Sequence, residues 1–72
     1  VGSIHSASLE TSKRLQRVFA VLSDGRPHTT LDIISAARVC AVNSCVSEIR
    51  TNGYNVRCEH KGVGLFEYTL VP

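Results

Sequence analysis

No apolar run in this chain approaches the roughly 20 residues needed to span a bilayer, and no signal-peptide hydrophobic region is visible. A cytoplasmic protein with no membrane partner is therefore expected. Internal repeats and low-complexity tracts are absent as well. At 72 residues there is room for one small domain with a thin core, and a buried catalytic cleft would compete with that core. Neither sign of charge dominates. A net charge of +2 permits a nucleic-acid partner without demanding one, because the footprint of such binding is local clustering rather than total charge. No two carboxylates are spaced to act as a catalytic pair, and the three histidines, His5, His28 and His60, fall in separate loops. Neither an enzyme, a cofactor nor a small-molecule substrate is expected.

Cysteine is sparse and odd in number: Cys40, Cys45 and Cys58. Reduced thiols acting as small buried hydrophobes are the expectation. A zinc site built from Cys40, Cys45, Cys58 and His60 is the sharper alternative, but its C-x4-C spacing is long and its C-x-H arm unusual. Cys45 is also needed on an apolar helix stripe, which argues equally against its use as an exposed nucleophile.

Hydrophobic residues make up 43% of the chain, enough for a globular fold. The most informative stretch is Ala41 to Gly53 (AVNSCVSEIRTNG). Val42, Cys45, Val46 and Ile49 stand at i, i+3, i+4 and i+7 and form one apolar stripe of a helix. The opposite face carries Ser44, Ser47 and Thr51, flanked by Asn43 and Arg50 on one side and Glu48 on the other. Asn52-Gly53 supplies a left-handed stop. An ordinary solvated face is richer in Lys and Glu; this one is small, polar and suited to enter a groove.

Residues 1–11 show no periodicity and are expected to be a flexible arm, leaving residues 12–72 as the domain. A first helix is predicted from Thr11 or Ser12 to about Ser23, with Leu15, Val18, Phe19 and Leu22 inward and Asp24-Gly25 as its stop. Lys13, Arg14 and Arg17 lie off that stripe. Pro27 holds the next segment extended, and the piece near His28 can add a short strand. Thr29 and Asp32 then form a capping-box start for a second helix from Thr30 to about Arg38, expected to bury Leu31 and Ile34 with Ile33 and Ala37 on an adjoining face. Only Val39-Cys40-Ala41 joins it to the third helix, so the two must cross steeply, as in a helix-turn-helix. Beyond Gly53 the apolar period becomes 2. Tyr54, Val56 and Cys58, then Phe66, Tyr68 and Leu70, define the apolar face of a hairpin with its tip at Lys61-Gly62-Val63-Gly64. Such a hairpin has to pack on the helices, since it is not stable alone. The expected architecture is α+β: a winged helix-turn-helix of three helices followed by a β-hairpin wing.

Several phrases carry a resemblance over the span from Lys13 to about Leu70: Arg14-Leu15-Gln16-Arg17-Val18, Leu22-Ser23-Asp24-Gly25, Thr29-Thr30-Leu31-Asp32-Ile33-Ile34, Ala37-Arg38-Val39-Cys40-Ala41-Val42-Asn43, Ser47-Glu48-Ile49-Arg50 and Asn52-Gly53-Tyr54. In order and spacing these resemble a family of small winged helix-turn-helix domains encoded by phages and prophages. The resemblance implies DNA binding in phage transcription regulation or replication. One departure is the turn Val39-Cys40-Ala41, where such domains often carry glycine.

With the third helix in a major groove, Asn43 is a candidate to pair with adenine and Arg50 with guanine, and Ser44, Ser47 and Thr51 to meet bases or phosphates. The competing role for Asn43 is a helix cap, and for Arg50 an ion pair with a neighbouring acid. Glu48 is assigned to structure, with Arg38 as one partner. Arg17 on the first helix, and Arg57 and Lys61 beside the hairpin tip, are candidates for phosphate or minor-groove contact; each can equally serve solubility alone. The expected partner is thus double-stranded DNA, with dimerisation or a larger parent chain to strengthen a single half-site. The rival is a winged-helix protein-interaction module, which clustered exposed apolar residues, around Ile33 and Val63, would favour.

Overall fold

The computed structural model describes residues 8–72. Its order is α1 (Lys13–Leu22), β1 (His28–Thr29), α2 (Thr30–Ala37), α3 (Val42–Thr51), β2 (Asn55–Gly62) and β3 (Leu65–Val71). The chain is α+β, with three helices and a three-stranded antiparallel sheet in the order β1-β3-β2. This arrangement is compatible with a winged helix-turn-helix.

Each helix starts and stops for an identifiable reason. Ser12 caps α1, its side chain accepting from the Leu15 N–H, and Gly25 at φ +74° turns the chain away. At α2 the capping box is complete: Thr29 accepts from the Asp32 N–H, and Asp32 accepts from the Thr29 N–H. Gly53, at φ +99°, ends α3 and donates to the Arg50 carbonyl, while the Tyr54 N–H reaches back to Ile49. The turn between α2 and α3 has no glycine and uses Arg38, the sole non-glycine residue at positive φ (56°) among those described. Its N–H donates to the Ile34 carbonyl at 2.9 Å, and α1 helps from outside: Arg17 Nε donates to the Ala37 carbonyl at 2.8 Å.

The core is the meeting of three helical stripes with one end of the sheet. Leu15, Val18 and Leu22 of α1, Ile33 and Ala37 of α2, and Val42, Cys45, Val46 and Ile49 of α3 are all buried, and Val56 and Tyr68 close the layer from the sheet. His28 pairs with Tyr68 and Thr29 with Glu67, so the short extended piece does join β3. The hairpin runs in register from Asn55↔Val71 to His60↔Phe66, then shifts by one residue before Gly62↔Leu65. Val63-Gly64 forms the two-residue tip, with Gly64 at φ +70°.

Four expectations need correction or extension. Leu31 is 72% exposed and Ile34 only partly covered, whereas Ile33 and Ala37 are buried. Residues two apart on a helix are rotated by about 200°, so Ile33 and Leu31 cannot both face inward, and the i, i+4 pair Ile33–Ala37 wins the core. Of the three cysteines only Cys45 is buried; Cys40, in the turn before α3, and Cys58, on the edge strand β2 opposite Tyr68, are exposed. The apolar hairpin face is covered only near Val56, Tyr68 and Leu70, and Tyr54 instead meets Phe19 edge-on at 4.7 Å. Finally, the segment read as a free arm through residue 11 is anchored from Ser8 onward. The Leu9 N–H donates to Asn52 Oδ1 at 3.0 Å, Leu9 packs on the core, and Gln16 Nε2 donates to the Leu9 and Glu10 carbonyls. Residues 1–7 lie outside the described residues.

Two stability outcomes follow from this packing. Ile49→Ala, at a fully buried position, is expected to destabilise by about 2–5 kcal/mol in urea denaturation, against under about 0.5 kcal/mol for Leu31→Ala. Arg38→Gly is expected to stabilise by about 1 kcal/mol, because it removes left-handed strain.

Candidate functional site

The circumference of α3 divides into four strips. Its apolar strip is buried. One flank faces α1: Arg14 Nη2 donates to Glu48 Oε1 at 2.7 Å and Nη1 donates to Cys45 Sγ at 2.9 Å. Glu48 is thus structural, with Arg14 rather than Arg38 as its partner, and its carboxylate raises the Arg14 guanidinium above its ordinary pKa. The other flank faces the sheet. Arg50 donates from Nε (3.0 Å) and from Nη2 to the Val56 carbonyl, and the Tyr68 hydroxyl donates to Asn43 Oδ1. Outermost are Ser44, Ser47 and Thr51, exposed like Asn43 and Arg50 on the sheet-side flank, with Thr51 Oγ1 donating to the Ser47 carbonyl at 3.0 Å.

Both competing roles weighed for the flank residues give way to others. Ala41, not Asn43, is the N-cap of α3, and it supplies no side-chain cap. Arg50 binds a backbone carbonyl rather than an acid. Because that partner is neutral, Arg50 retains its full charge, as does Arg17 on the Ala37 carbonyl.

Beside the exposed strip runs a groove between the N-terminal ends of α2 and α3 and the hairpin. Thr30 and Leu31 line one wall, Cys40 to Ser44 the floor, and Gly64, Phe66 and Tyr68 the hairpin wall. None of the chain's six Asp and Glu residues lines it. Strand alternation explains why: Cys58, His60, Phe66 and Tyr68 share the groove-side face of the hairpin, while Glu59 and Glu67 face away. His60 stacks on Phe66 with ring centroids 4.6 Å apart. On the far face Glu59 stands directly opposite Glu67, an unfavourable like-charge pair that Lys61 relieves at 3.3 Å from Glu59. Arg57 is on that same far face, opposite Thr69.

The predicted site residues therefore separate. Asn43, Ser44, Ser47 and Thr51 come together on α3 at or beside the groove; Arg50 and Arg17 are built into the scaffold; Arg57 and Lys61 lie on the hairpin with Arg57 turned away from the groove. Sequence reasoning assigned Tyr68, Thr30, Leu31 and Phe66 no part in the site. A signal existed for Tyr68, since a tyrosine on an apolar strand face needs a partner for its hydroxyl. Burial raises its phenol above the usual tyrosine range, with the nearby Cys58 thiol adding to the shift and Thr30 opposing it.

Comparison with protein-family models, with curated proteins and with solved structures finds no match.

The raised Tyr68 phenol carries its own test. A group whose folded pKa is raised stabilises fully below its unfolded value and loses that contribution as pH climbs through the folded value. Stability is therefore expected to fall above about pH 10, and phenolate absorbance to show a late component that Tyr68→Phe removes.

Proposed function

We propose that this domain is a winged helix-turn-helix that binds double-stranded DNA, with the outer strip of α3 in the major groove and the β2–β3 hairpin as its wing. The carrying observation is the acid-free surface formed by Ser44, Ser47, Thr51 and the adjoining groove, set on a helix that is held on both flanks. Phosphate oxygens repel carboxylates and accept from hydroxyls, amides and backbone N–H groups, so a surface of this composition suits a polyanion. The start of α3 has no side-chain cap, which leaves its first N–H groups available there. Arg38, in the turn that leads into α3, is exposed and supplies a cation close by. On the sequence resemblance, the setting we propose is cytoplasmic phage or prophage transcription regulation, with replication second. Two copies, or a longer parent chain, would give the second half-site that one small domain lacks.

One observation favours the rival reading. Leu31, Val63, Leu65 and Phe66 are exposed apolar residues, and Leu31 and Phe66 both line the groove. A protein partner would bury them.

Titration into a mixed-sequence duplex at two salt concentrations separates the two. The DNA reading expects affinity that falls with salt by about 0.9 in log–log slope per phosphate contact. Ser47→Glu should weaken binding by roughly tenfold, the effect of one carboxylate placed against phosphate at a wet surface. Glu59→Gln, on the far face, should leave the affinity unchanged within about twofold. Arg50→Ala is a poor probe, because it also frees the Val56 carbonyl. No binding at low salt would contradict the proposal, and loss of a protein contact on Leu31→Ser would then support the rival.

A further inference from the structure

Asn43 is the polar side chain of α3 that both lines the groove and is oriented by another residue. The Tyr68 hydroxyl donates to its Oδ1. Tyr68 is itself held firmly: it is only 4% exposed, and it sits in the central strand between His28 and Cys58.

The consequence concerns the amide. An asparagine reads adenine by using both ends at once, accepting from N6–H2 with its oxygen and donating to N7 with its nitrogen. Here the Tyr68 hydroxyl holds the oxygen and takes one of its two lone pairs, while both hydrogens on the nitrogen stay open to a ligand. We infer that Tyr68 biases Asn43 towards donating, so that this domain prefers at the Asn43 position a base presenting acceptors in the major groove, guanine first and thymine second, over adenine. The inference rests on the DNA-binding reading above. Guanine offers O6 and N7 side by side, both acceptors. Thymine offers O4. Adenine's N6–H2 has to share an oxygen already bonded to Tyr68, and cytosine offers only a donor. Tyr68 is then a positioning residue that touches no base, and it sets specificity through the group it holds.

Selection from a randomised duplex library tests this, with wild type, Asn43→Ala, Asn43→Asp and Tyr68→Phe run in parallel. The position read by Asn43 is the one whose preference Asn43→Ala erases. Wild type should favour guanine over adenine there by about fivefold or more, the low end of what one good base contact provides. Asn43→Asp keeps an oxygen for Tyr68 and presents a second one outward, so the preference should move to cytosine. Tyr68→Phe releases Oδ1, and adenine should rise to at least equal guanine. If circular dichroism shows Tyr68→Phe unfolded, the Asn43→Asp exchange carries the test by itself. Binding with an adenine or cytosine preference in wild type, or with no position altered by Asn43→Ala, would overturn the inference and leave DNA binding standing. No binding by folded wild type would overturn both.

Discussion

Arg14 on one side and Tyr68 with Arg50 on the other fix α3 about its own axis, and most of the structure depends on that fixation. The apolar strip of Val42, Cys45, Val46 and Ile49 holds the helix in the core, but packing alone tolerates some roll. The Arg14–Glu48 pair, 40% and 18% exposed, is only partly desolvated, so its value is modest as stability. Its greater effect is geometric: together with the bonds to Val56 and Asn43 it leaves one strip free to turn outward. That strip is made of small hydroxyls, which lose little side-chain entropy when a partner orders them.

Charge is sorted around this helix in a consistent way. Of the acids, Glu48 is spent on Arg14, Asp32 on the α2 cap, and Asp24 on the His28 ring and the Arg26 N–H, which hold its carboxyl below the usual range. Glu59 and Glu67 share the sheet face turned from the groove. The result is an uncharged groove at the N-terminal end of α3 in a chain whose total charge is nearly balanced. Net charge alone hides this.

The helix stripes, the capping box at Thr29, the stops at Gly25 and Gly53, the third strand at His28 and the hairpin tip were all legible from periodicity and turn chemistry, because each depends on residues within a few positions of one another. Long-range partners were not. The exposure of Leu31 depends on which face of α2 turns inward, and that of Cys58 on its place in the edge strand β2, neither of which the local pattern decides. Arg50 and Arg17 read as candidate DNA contacts, and their carbonyl acceptors, Val56 and Ala37, were not legible. Asn43 showed its outward position but not its orientation, which is set by a tyrosine 25 residues away. The glycine missing from the turn was correctly noticed, and Arg38 in the left-handed region is its physical counterpart.

The measurement that tests the central claim most directly is amide chemical-shift mapping of the folded domain as a DNA duplex is added at low salt. DNA bound by the outer strip of α3 and the groove predicts shifts concentrated at Ser44, Ser47, Thr51 and Gly64, with Glu59, Glu67 and the opposite end of the molecule, at Tyr54 and Leu70, nearly unmoved. An unchanged spectrum, or shifts centred on that opposite end, would contradict it.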